Sequence, residues 1–311
     1  MTKSTFKIIV PLLSTILFIS PSVVFAGPDV PTQFTNSGGI SNTRHNLTQN
    51  GQFVTNNGNQ MDPFRNDYAQ VCVYCHTPHG ANTTVDLPLW NRTMTGNSYT
   101  TYDTLKTTTI TSDFVQPGIN SLSCLSCHDG TLGVDSVINM PGSGGYNGNL
   151  QQSNNKTTVD TWLDTWATPQ FGGNPNSHQS LNADKTGCLV CHSTGGAGDA
   201  FTLATDFTLF AIGQDLTNDH PVGVAKPTSN PDFVATTGAA PGIQWFDDDG
   251  DNRPDSNEIR FYDTGNGPRV ECASCHDPHG VPTAGFGTVI QPTFLRISND
   301  GSQVCLTCHI K

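Results

Sequence analysis

The sequence predicts a chain folded mostly as loops and turns, with a few short helices wrapped around covalently held prosthetic groups and little β structure. Three observations carry this expectation. Only 35% of the 311 residues are hydrophobic. The 31 Gly and 20 Pro, with abundant Asn, Thr and Ser, favour turns over long helices and strands. Finally, all ten cysteines fall into one recurring pattern. Side chains of this composition do not fill an interior by themselves, so something else must.

The pattern is C-x-x-C-H, at Cys72/Cys75/His76, Cys124/Cys127/His128, Cys188/Cys191/His192, Cys272/Cys275/His276 and Cys305/Cys308/His309. Two thiols one helical turn apart can add to the two vinyl groups of one porphyrin. The histidine that follows then lies under the iron as its proximal ligand. A disulfide framework would suit an even cysteine count, but it does not explain why His follows every pair. Zinc ribbons use paired C-x-x-C without requiring that His. The expected architecture is therefore that of a multihaem cytochrome c, in which five covalently bound haem c groups act as the apolar interior of a loop-rich chain.

Ten histidines are present, and five lie outside the motifs: His45, His79, His178, His220 and His279. Along the chain one of them precedes each motif. Five irons and five spare imidazoles predict distal histidine ligation at every haem. Methionine, the competing distal ligand, cannot serve all five irons, because beyond the first residue only Met61, Met94 and Met140 remain.

Two of these histidines have a defined neighbourhood. Cys72 to Gly80 reads C-V-Y-C-H-T-P-H-G and Cys272 to Gly280 reads C-A-S-C-H-D-P-H-G. Pro78 and Pro278 fix their own φ and bias the preceding residue towards extended backbone, turning the next His away from the haem just bound. Three residues span at most about 10 Å, so His76 and His79 must hold two different irons close together, as must His276 and His279. The simplest assignment gives His79 to the second haem and His279 to the fifth, although nothing in the sequence forbids donation to a neighbouring subunit instead.

Residues 1–26 read as an export signal: Lys3 and Lys7, then a mostly apolar stretch from Ile8 to Val24, then Val24-Phe25-Ala26 before Gly27. Beyond it no apolar run approaches the roughly 18 residues of a membrane span. The expected organisation is a single pentahaem unit over 27–311, with the first and second haems in 27–150, the third in 151–235, and the fourth and fifth in 236–311. A formal charge of -12 with 14 Lys plus Arg excludes a nucleic-acid surface, and no basic patch suits anionic lipid.

Asp247, Asp249, Asp251, Asp255 and Glu258 occupy positions 1, 3, 5, 9 and 12 of an EF-hand-like loop, where alternating carboxylates converge on one calcium ion. Asn252 stands where Gly is usual, a position its tolerance of left-handed φ can fill. Pro254 replaces the usual apolar residue. A solvated acidic turn is the competing reading.

The segments Gly39-Ile40-Ser41-Asn42-Thr43-Arg44-His45-Asn46-Leu47, C-V-Y-C-H-T-P-H-G, Cys124-Leu125-Ser126-Cys127-His128-Asp129-Gly130-Thr131, Asn218-Asp219-His220-Pro221-Val222 and C-A-S-C-H-D-P-H-G resemble those of extracellular multihaem cytochromes of metal-reducing bacteria. Some members of that group polymerise into filaments. The resemblance implies low-spin bis-His haems in close contact, electron transfer as the function, and a ligand His able to cross to the next subunit. Expected partners are copies of this chain, other cytochromes and extracellular electron acceptors, at the cell surface or beyond it. A discrete periplasmic or extracellular shuttle is the alternative. A haem-based reductase is a further one, disfavoured because five spare His can close every iron.

Overall fold

The computed structural model describes residues 35–47, 71–92, 94, 96–105, 108, 110, 112–131, 137–139, 189, 208–227 and 231–310. The expected export signal (residues 1–26), most of the segment expected to hold a third haem, and Cys188, Cys191, His192 and His178 lie outside the described residues.

Turns and short helical pieces dominate. Helix α1 spans Ile119–His128, α2 spans Cys272–Cys275 and α3 spans Gln303–Leu306. Single 3-10 turns include Val71–Tyr74 and Thr208–Phe210. Each described C-x-x-C-H sits on one of these pieces. The amide of His76 donates to the carbonyl of Cys72 at 2.7 Å, that of His276 to Cys272 at 3.1 Å and that of His309 to Cys305 at 2.9 Å. These i to i−4 bonds put the two cysteines of each pair one turn apart, as the motif's chemistry demands.

A small antiparallel sheet precedes the fourth motif, with strands β1 Gly238–Ala240, β2 Ile243–Trp245, β3 Arg260–Asp263 and β4 Pro268–Arg269 in simple sequential order. Its registers pair Ala240 with Ile243, Trp245 with Arg260 and Tyr262 with Arg269. Pro241 and Gly242 make the first turn, Pro fixing φ and Gly242 taking φ +80°, which a side chain would strain. At the last turn the Asp263 carboxylate accepts from the amides of Gly265 and Gly267, both at 2.9 Å.

Among the described residues two small apolar clusters serve as core, and motif cysteines pack against each. Tyr99, Leu125, Leu216 and Val222 pack with Cys272 at their edge. Phe246, Ile259 and Phe261 pack with Cys275 and Cys308. Buried arginines supplement them. The Arg269 guanidinium donates to the carbonyls of Asp113 and Gly223 at 3.0 and 2.9 Å and pairs with the Asp113 carboxylate at 2.8 Å. Arg296 donates to the carbonyls of Ala273 and Ser256 at 3.0 and 2.8 Å, locking the fourth motif against the loop before β3.

Candidate haem centres

All eight described cysteines are unpaired, which argues against a disulfide framework among them. Burial pushes the Cys75 and Cys275 thiols up to about 11 and Cys308 to about 12. Such sites disfavour a thiolate and suit a neutral thioether. The Cys124 and Cys272 thiols contact one another, so the second and fourth motifs meet sulfur to sulfur where α1 packs on α2.

The motif histidines are oriented by a shared device. Nδ1 of His76 donates to the Pro88 carbonyl at 2.7 Å, that of His128 to Phe210 at 2.6 Å and that of His276 to Thr293 at 2.8 Å. A carbonyl only accepts, so Nδ1 carries a proton, and in the neutral ring Nε2 is then the nitrogen with the lone pair a metal needs. His309 packs its ring on Phe233, with centroids 4.6 Å apart.

Four of the five remaining histidines are described, and the structure sets two of them opposite motif histidines. The rings of His76 and His279 stand with centroids 6.2 Å apart and planes 12° from parallel. Those of His45 and His128 stand 6.3 Å apart at 74°. His45 donates from Nδ1 to the Pro278 carbonyl at 2.9 Å and stacks on Phe294 with centroids 4.2 Å apart. His279 donates from Nδ1 to the Asp277 carboxylate at 3.0 Å. The ring of His279, which the simplest assignment gives to the fifth haem, faces His76 of the first motif.

His220 lies near enough to His309 for their charges to interact, and its Nδ1 donates to the Pro221 carbonyl at 3.2 Å. His79 is held through its backbone, its carbonyl accepting from the Thr77 hydroxyl at 2.9 Å and from the Asn139 amide. Among the described residues no other ring faces that of His79.

Burial pulls the imidazole of His45 down to about 4 and lowers those of His128, His220 and His276, favouring the neutral form in which imidazole binds metal. At His279 the Asp277 hydrogen bond works the other way and raises it. Although burial opposes it, donors from His279 and the charge of Arg296 bring Asp277 itself down to about 2. A carboxylate on the far nitrogen of a ligand histidine is a common orienting arrangement at metal sites. Free thiols on helical turns, imidazoles anchored at Nδ1 and facing ring pairs together fit covalently attached haem.

Some contributors leave little trace in the sequence. Asp277 was visible only as the D of D-P-H-G, where the first motif has Thr77. Glu271, directly before Cys272, is 1% exposed and caps α1 from a distance, a role no local pattern signals. Arg296 and Phe294 carried no signal.

The acidic segment joins β2 to β3, with strands where an EF-hand has helices. Carboxylate oxygens of Asp247, Asp249 and Glu258 lie within 4.8 Å of one another, as do those of Asp249, Asp251 and Asp255. Asn252 takes φ +60°, the left-handed conformation its position requires. Glu258 is buried and accepts from the amides of Asp248 and Asp255 at 2.9 and 2.8 Å.

Among the described residues no helix is long and apolar enough to cross a membrane. Residues 267–311, spanning the fourth and fifth motifs, match the family model of the doubled CXXCH motif. No curated protein matches the chain.

Proposed function

We propose that this chain, whose doubled C-x-x-C-H segment supports a multihaem c-type cytochrome acting in electron transfer, carries five closely spaced bis-His haems and conducts electrons outside the cell. Bound haem supplies an iron that cycles between two oxidation states, and the protein's part is to fix its ligands and exclude others. The observation that carries this reading is the pairing of spare imidazoles with motif imidazoles, each tethered at Nδ1. Two histidines per iron leave no open position for a substrate, which is why we read a conductor and not an enzyme.

In this reading the chain is the subunit of a polymeric filament, its neighbours being copies of itself and its outer partners other cytochromes or extracellular acceptors. The fifth motif supports subunit contact, since Leu306 within it and Ile310 directly after it are 46% and 60% exposed. A calcium ion in the loop of Asp247, Asp249, Asp251, Asp255 and Glu258 would brace the segment leading into the fourth motif. Electron microscopy of the purified extracellular fraction tests the assembly. Ordered filaments are expected, and uniformly monomeric particles would leave a discrete shuttle as the function.

A further inference from the structure

We propose that the first haem iron is held between His76 and His279 with nearly parallel imidazole planes, and the second between His128 and His45 with nearly perpendicular planes. The proposal rests on the bis-His reading above and deepens it by naming which imidazoles share an iron and how they are turned.

The spacing comes first. An imidazole nitrogen sits roughly 2 Å from a bound first-row metal and the ring centroid lies about 1 Å behind it, so two imidazoles on opposite sides of one ion have centroids roughly 6 Å apart. The observed 6.2 and 6.3 Å match. Spacing alone does not decide the matter, because the Trp90 ring also stands 6.0 Å from His76. What marks the histidine pairs is that all four rings have Nδ1 bonded to an acceptor, at Pro88, Asp277, Phe210 and Pro278 respectively for His76, His279, His128 and His45. Each therefore has Nε2 as its ligand nitrogen. Near-parallel rings in stacking contact approach more closely, as His45 does on Phe294 at 4.2 Å and 24°.

The angles follow from the same anchors. The acceptor at Nδ1 sets the rotation of each ring about its iron–nitrogen axis, and these acceptors differ in kind and direction. The result is 12° between planes in one pair and 74° in the other. Parallel imidazole planes split the iron d orbitals rhombically. Perpendicular planes leave two of them nearly degenerate and give a low-spin resonance of much larger anisotropy.

One turn governs both irons. Asp277-Pro278-His279 offers His279 to the first iron and, through the Pro278 carbonyl, seats His45 for the second. Because His276 is three residues from His279, the fourth haem also adjoins the first.

The test uses oxidised and reduced holoprotein. Wild type is expected to show both rhombic and highly anisotropic low-spin signals. His279→Ala should remove about one haem's share of the rhombic class and open one iron to carbon monoxide; His45→Ala should do the same to the anisotropic class. His76→Ala combined with His279→Ala should open no more irons than either change alone. Two irons opened by the double variant, or loss from the opposite spectral class, overturns the pairing while leaving bis-His ligation standing. If His76→Ala prevents haem attachment, the spectral class lost in His279→Ala and in His45→Ala still decides. Failure of both distal variants to open any iron overturns the bis-His reading itself.

Discussion

Glu271 accepts a hydrogen bond from the backbone amide of Gly118 through each carboxylate oxygen, at 3.1 and 3.0 Å, and a further one from the Ser121 hydroxyl. The contact joins the residue before the fourth motif to the first turn of the helix that carries the second. The amide of Cys272 returns the link by donating to the Ser121 hydroxyl at 2.8 Å. Glu271 is thus both neighbour of one haem-binding turn and cap of another.

Glu271→Ala should destabilise the holoprotein by about 2 to 3 kcal/mol, because a buried acceptor is removed and the Gly118 amide and Ser121 hydroxyl at the start of α1 lose their partner. Chemical denaturation followed by haem absorbance measures it. A midpoint equal to wild type would show that the two motifs are held together by other contacts.

Burial pushes the Glu271 carboxyl up from its ordinary value, against the Ser121 and Gly118 donors and the charge of Arg269. A carboxyl whose folded pKa exceeds its unfolded one contributes stability that is fully present below the unfolded pKa and is lost as pH rises through the folded pKa. The stability of wild type relative to Glu271→Gln should accordingly fall as pH rises through that window. Denaturation midpoints of both proteins across a pH series give the difference, and a difference that grows with pH contradicts the sign.

Gly223 takes φ +75°, and a Cβ there would lie 2.1 Å from the backbone oxygen of Val115. Gly223→Ala must strain the backbone and displace a chain that cannot rotate away, at a cost of about 3 kcal/mol or more. Thermal unfolding of the holoprotein reports it. The same change at Gly242, where the nearest atom is the Asp263 carbonyl oxygen at 3.8 Å, should cost less because only φ is strained.

Replacing Cys305 and Cys308 by Ala should lower the intact mass by one haem and leave four. Mass spectrometry of the purified protein counts them directly. Retention of five haems would remove the fifth motif from the attachment sites.

A calcium chelator should lower the unfolding temperature by a few degrees, since a ligand bound only to the folded state stabilises by mass action. Asp247→Asn with Asp249→Asn should abolish the response. Coincident melting curves with and without chelator would return the loop to a solvated acidic turn.

The attachment chemistry was legible in the sequence because it is local: cysteine, cysteine and histidine must share one helical turn, and Val71–Tyr74, α1, α2 and α3 supply it. The turn-rich character followed from composition in the same way. The small sheet was not read, since strands of two to four residues are too short for alternation to register. Its only audible cues were Pro241-Gly242 and the glycines after Asp263. The partner of each spare histidine was beyond reach for a different reason. Chain order suggests that a spare His serves the next motif, whereas His279 faces back to His76 through closure of a long loop. Contacts of that kind, like Glu271 to Gly118, are fixed by the packed whole and leave no periodic trace. The acidic loop was legible as a spacing, and the left-handed Asn252 fulfils what that spacing asked of it.

The turn at Asp277-Pro278-His279 also imposes an order in time. A polypeptide emerges from its N-terminus, so Cys72, Cys75 and His76 exist long before the residue that faces them. Until the C-terminal quarter arrives, the imidazole of His76 has no counterpart across from it and His45 has no carbonyl to settle against. A later-made part of the chain is therefore the clasp for an earlier one, and a product cut short before Asp277 would be left ajar at Cys72 to His76, not at its broken end.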